Sequence, residues 1–130
     1  MTSHRTKNIG LGPVRDFHAK DPGIYAILVD RLWPRGTKKE SLPVNLWARD
    51  WAPSPDLRHD FHEGKIDFSR FRTDYIQELQ DRKQEILAVL ESITEKNILL
   101  LFASRDQKEN NASVLKEVID GWLSEKIIKH

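Results

Sequence analysis

Two unbroken apolar runs constrain this chain more than any other feature. "IYAILVD" at 24–30 and "NILLLFAS" at 97–104 are short and rich in β-branched, aromatic and leucine side chains, and Pro22-Gly23 turns the chain before the first. A strand with one wet face alternates in polarity; a continuous apolar run belongs to a sheet covered on both faces. Between the runs the pattern becomes helical. Ser54-Pro55 is an N-cap followed by proline at the first helical position, and Gly64 suits a stop, which predicts a helix over 55–62. Asp67 then caps a longer segment in which Phe68, Phe71, Tyr75, Leu79, Ile86, Leu90 and Ile93 recur at helical spacing, so 68–93 reads as an amphipathic helix bent near 80–84. After the second run, Asn110 or Asn111 caps a last helix whose inner face holds Ala112, Leu115, Val118, Ile119, Trp122 and Leu123.

Strand, helices, strand, helix is the pattern of a βαβ unit, so the two strands should run parallel. The expected fold is α/β: a small, mostly parallel sheet with helices packed on both faces, a three-layer fragment of the flavodoxin or Rossmann kind. An earlier strand near 9–15 is interrupted by Gly10, Gly12 and Pro13. Too few residues follow it for a helical crossover, so beside the 24–30 run it would have to lie antiparallel. Trp47 and Trp51, four apart, are expected on one face of a short helix.

With 130 residues the chain has the size of one domain, 1–130, able to bury a core without a staple. It has no cysteine, which excludes disulfides, thiol nucleophiles and cysteine metal sites and fits a reducing cytoplasm. "MTSHRTKNIG" lacks the apolar stretch of a secretory leader. No apolar run exceeds six residues, far below the roughly 20 that span a bilayer, so no membrane partner is expected. The formal net charge of +1 exerts no general pull on nucleic acid. Residues 1–40 nonetheless hold eight Lys/Arg against four Asp/Glu, and "WPRGTKK" is the densest part of that basic third.

In an open α/β sheet, ligands bind outside the carboxyl ends of parallel strands. "DRLWPRG" (30–36) emerges there after the first run and "SRDQKENNA" (104–112) after the second. Arg31, Arg35 and Arg105 supply forked cations for phosphate or carboxylate, Trp33 a flat apolar face, and Asn110 and Asn111 the start of a helix. Asp30 and Asp106 are the candidate proton-handling carboxylates, with Glu109 a third carboxylate nearby. The Trp33–Pro34 bond is a candidate cis peptide. The structural alternative makes Asp30–Arg31 a loop-pinning salt bridge, Trp33 a lid on the core, and both asparagines plain caps. His59 and His62 sit three apart on one helix without a third ligand nearby, so no metal site is assigned. His62 is an acid–base candidate if its helix packs near the strand ends, and Arg49 and Arg58 are candidates for a basic rim. Ser104 has no G-x-S-x-G setting, and neither a Walker loop nor G-x-G-x-x-G is present, so no cofactor is called for.

"ILVDRLWPRG" with "KKE" just after, "APSPDLR", "FRTDYIQEL" and "LLLFASRDQKENNASVL" resemble, in order, the pattern of the YeaO-like family, a bacterial family of unknown function. The resemblance runs from about Val14 to Trp122 and leaves 1–13 outside. It implies a small cytoplasmic α/β protein with no established substrate. A longer branch of the family carries cysteine and histidine where this chain has Asn110-Asn111, which has suggested enzymatic activity there. This chain has no cysteine, so a thiol mechanism does not transfer.

Three functions remain in view. The first is a site for a small anionic molecule, a nucleotide or phosphorylated metabolite, with or without turnover. The second is a protein-interaction adaptor using Trp47, Trp51 and their neighbours. The third is a nucleic-acid-binding module using Arg35, Lys38 and Lys39, which the near-neutral total and the acidic second half argue against.

Overall fold

The computed structural model describes residues 7–18 and 22–128, with side chains through 125. The strands are β1 (Asn8–Pro13), β2 (Ile24–Leu28), β3 (Leu46–Trp47) and β4 (Asn97–Phe102), and the α-helices are α1 (Pro55–His62), α2 (Phe68–Gln80), α3 (Lys83–Ser92) and α4 (Asn111–Ile128). All strand pairs are parallel, in the order β1-β4-β2-β3. The α/β expectation and the parallel pairing of the two apolar runs are met, with Ile27 beside Leu100 and Leu28 beside Leu101.

The sheet is covered on both faces, by different means. Ile27 and Val29 of β2 and its end, with Ile98, Leu100 and Phe102 of β4, pack against the buried residues of all four α-helices, among them Leu57, Tyr75, Ile86 and Leu115. Ala26, Leu28 and Leu101 point the other way, toward Leu42 and the half-buried Trp33, Val44 and Trp47. The layer on that second face is the connection from β2 to β3, with a 3-10 turn at Lys39–Ser41, rather than an α-helix.

The local signals place the helices well. Ser54 Oγ accepts from the Leu57 N–H at 3.3 Å, Pro55 opens α1, and Gly64 beyond its end adopts φ +73°, which favours glycine. Asp67 caps α2 through the Arg70 N–H at 2.9 Å. The expected bend is a break: the N–H groups of Asp81 and Arg82 bond back to Glu78 and Leu79, and a new helix starts at Lys83. Ser54 also donates from its N–H (2.9 Å) and its hydroxyl (2.6 Å) to the two carboxylate oxygens of Glu78, which fastens the start of α1 to α2.

Three expectations change. β1 does not lie beside β2; it takes the far edge of β4 and is parallel to it, so the antiparallel constraint never applies. Its glycines do not interrupt the strand: Gly10 and Gly12 pair in register with Leu99 and Leu101. Trp47 and Trp51 do not share a helix face. Trp47 lies in β3 and belongs to the second-face cluster, whereas Trp51 ends a 3-10 turn (Arg49–Trp51) and is buried on the helical face. Sheet-edge bonds outweigh helical spacing here: the Asn45 and Ala48 N–H groups donate to the Ala26 and Leu28 carbonyls at 2.9 and 2.8 Å. The Trp33–Pro34 bond is trans, as are all described peptide bonds.

Candidate functional site

The two loops picked from the sequence meet at one side chain. Asp30 follows Val29 just beyond the end of β2. Its Oδ2 accepts from the Ala103 N–H at 2.8 Å, its Oδ1 accepts from Asn111 Nδ2 at 3.2 Å, and its backbone carbonyl accepts from Trp47 Nε1 at 2.8 Å. Asn111 Nδ2 also donates to the Val29 carbonyl at 3.1 Å. One carboxylate therefore ties the ends of β2 and β4 and the first residue of α4. Burial pushes the Asp30 carboxyl above its ordinary value, against the pull of the Ala103 N–H, the Asn111 amide and the nearby Arg58 guanidinium.

The asparagines divide the work. Asn110, only 3% exposed, is the N-cap: its Oδ1 accepts from the Ser113 N–H at 2.9 Å and its Nδ2 donates to the Asp106 carbonyl at 2.7 Å. Asn111 starts the helix and reaches back to the sheet. Asp106 is exposed and closes the preceding turn, with its Oδ1 accepting from the Lys108 and Glu109 N–H groups at 2.9 and 2.8 Å. Those donors hold its carboxyl below the ordinary value.

Beside this tie lies a cavity of about 540 Å³, walled by the 30–35 loop, the 103–111 loop and α1. Asp30, Arg31, Trp33, Arg35, Arg105, Asn110 and Asn111 all border it; Asp106 does not. Arg31 Nε donates to the Pro53 carbonyl at 3.3 Å, so the salt bridge it was free to form with Asp30 is not made. Trp33 donates Nε1–H to the Thr37 carbonyl at 2.6 Å and meets Trp47 edge-on, centroids 5.3 Å apart. Its indole is a braced wall, shared between the cavity and the second-face core.

Helix α1 adds what the loops alone do not supply. Arg58 and His62, one turn apart, both border the cavity, and Phe61 between them stacks on Phe71 at 4.5 Å with 23° between the rings. Ala52 and Pro53 extend this apolar wall. The sequence held Arg58 and His62 only as conditional candidates, because α1 reaches the strand ends through tertiary packing. From the sequence, Phe71 reads as part of the apolar face of a helix, and Phe61 is not singled out. The four arginines of the cavity form no ion pair with any described carboxylate, while Asp30 and Glu109 are the acidic residues at its wall. Among the described residues, no three His, Asp or Glu side chains converge as a metal site, and no helix is long and apolar enough to cross a membrane.

Fold and site together define a parallel α/β protein with an arginine-rimmed pocket at the carboxyl end of its sheet. The chain belongs to the family described as the inactive DUF488-N3 subclade, which matches residues 9–128, so β1 falls inside the match from Ile9 onward although the sequence motifs begin later. It is 38% identical over 99 residues to the uncharacterized protein YeaO of Escherichia coli (strain K12), across 76% of this chain and 83% of that one, which bears out the YeaO-like resemblance. The uncharacterized protein Rv3073c of Mycobacterium tuberculosis (strain ATCC 25618 / H37Rv) is 34% identical over 96 residues, 73% of this chain and 80% of that one. No solved structure matches the chain.

Proposed function

We propose that the pocket binds a small anionic molecule, a nucleotide or phosphorylated metabolite, at the carboxyl end of the sheet. The observation that carries this reading is the convergence of Arg31, Arg35, Arg58 and Arg105 from three separate segments on one cavity, without ion-paired partners among the described carboxylates. Arg35, Arg58 and Arg105 are exposed and Arg31 is half-buried, so their planar forks stand open to an anion arriving from solvent. Arg31, Arg35 and Arg105 grip the anion, and Trp33 and Pro53 shape the wall.

Binding without turnover is favoured over catalysis. Both carboxylate oxygens of Asp30 are already engaged, and Asp106 stands outside the cavity, so neither is poised to move a proton. The family's description as inactive agrees with this. The adaptor reading loses its tryptophan patch: Trp51 and Trp122 are buried, and Trp33 and Trp47 pack on each other. Thermal-shift titration with nucleoside phosphates and sugar phosphates checks the proposal. The wild type should gain several degrees with the right ligand, and the Arg31→Ala/Arg35→Ala double variant should gain none. Equal protection of both proteins, or protection of neither, contradicts it.

A further inference from the structure

We infer that the pocket takes a nucleoside monophosphate in two parts, with the base on the ring of Phe61 and the phosphate among the arginines. This rests on the anion-binding reading above and adds the chemical class of the ligand. Charge matching is the first argument. Four guanidinium groups against the carboxylates of Asp30 and Glu109 leave a surplus of two positive charges at the wall. A phosphomonoester carries about −1.5 to −2 near neutral pH and matches that surplus. A lone carboxylate supplies half of it, and a triphosphate exceeds it.

The second argument is the layout of α1. Arg58 and His62 flank Phe61 on the cavity side of one helix, so a single element presents cation, ring and imidazole to the same ligand. Phe61 is half-buried and borders the cavity, and the core residue Phe71, only 2% exposed, backs its ring at 4.5 Å. A planar base laid against Phe61 continues an aromatic cluster that Phe71 and Phe68 complete, the Phe68 centroid 5.9 Å from each of the other two rings. Trp33 is the less suitable seat, because its N–H is donated to Thr37 and its edge packs on Trp47. The third argument is room. A cavity of about 540 Å³ is far larger than an inorganic phosphate requires and lies in the range that encloses a small organic ligand.

Isothermal titration with AMP, ribose 5-phosphate and adenosine tests this on the wild type. AMP should bind about tenfold or more tightly than ribose 5-phosphate, the advantage expected of one stacked base, and adenosine should not bind measurably. In Phe61→Leu, which keeps an apolar side chain of similar size, AMP should fall to the affinity of ribose 5-phosphate while ribose 5-phosphate is unchanged. In Arg58→Gln both phosphates should weaken about tenfold. Equal binding of AMP and ribose 5-phosphate by the wild type overturns the base seat and leaves the anion reading standing. Adenosine binding as tightly as AMP, or no binding of any of the three, overturns both. The wild-type comparison decides the question even if Phe61→Leu fails to fold.

Discussion

The two ends of the sheet each carry a cavity, and their chemistry differs. Near the amino ends of β2, β3 and β4 lies one of about 640 Å³, bordered by Asp16, His18, Asn45 and Glu95, with no Lys or Arg among its described lining residues. At the carboxyl ends lies the smaller one, about 540 Å³, with four arginines at its rim and a half-buried carboxylate cross-tying its base. Size alone would choose the amino end. Convergent charge, an apolar wall and strand-end placement choose the other, which is where parallel α/β sheets offer their loops to ligands.

The largest expected effect lies in that cross-tie. Asp30→Ala removes the acceptor for the Ala103 N–H and for Asn111, and should cost about 3 kcal/mol in urea unfolding, given roughly 1.5–3 kcal/mol for each hydrogen bond to a charged group. Asp16→Ala at the opposite cavity should stay within about 0.5 kcal/mol, as exposed substitutions do. Comparable losses at both positions would erase the contrast between the ends.

Next comes ligand protection. At a hundredfold excess over its dissociation constant, a ligand adds about 2.7 kcal/mol to the wild type, roughly 5–10 °C in Tm for a chain of this length. Replacing both Arg31 and Arg35 should abolish that shift, whereas Arg105→Gln alone, on the exposed outer loop, should reduce it only in part.

A smaller effect separates two carboxylates at the same end by pH. The Asp30 carboxyl is raised by burial, so the stability it contributes is fully present below its ordinary pKa of 3.8 and declines as pH rises through the folded value. The gap between wild type and Asp30→Asn should therefore narrow on going from pH 3 to neutral. Asp106 is lowered by its two backbone donors, so its contribution is present above 3.8 and is lost as pH falls through the folded value. The gap to Asp106→Asn should narrow in the opposite direction. Unfolding curves at several pH values read both signs, and a shared sign would refute the assignment of one carboxylate to a half-buried tie and the other to an exposed turn.

Much of the fold was legible because its signals are local. Caps at Ser54, Asp67 and Asn110, the proline at the start of α1 and the two continuous apolar runs each act within a few residues, and they place the helices and both central strands. β3 was not legible, since two residues have no period and its partners are supplied by β2. Trp47 and Trp51 misled for the same reason: their spacing suits a helix, and pairing at the sheet edge overrides it. In the site, "DRLWPRG" and the asparagine pair were legible from strand-end position. The role of Asp30 was not, because its partners Ala103 and Asn111 lie 73 and 81 residues further on. Nor was the joining of Arg58, Phe61 and His62 to the loop arginines, which depends on how α1 packs and on no motif.

The most direct test of the central claim is an amide chemical-shift titration of the whole chain with AMP. Residues 29–33, 35, 58–62 and 103–111 should move together along one saturating curve, with 16–18, 23, 24, 45 and 95 at the other cavity unmoved. Saturable shifts confined to the amino-end residues, or no saturable shift anywhere, would contradict it.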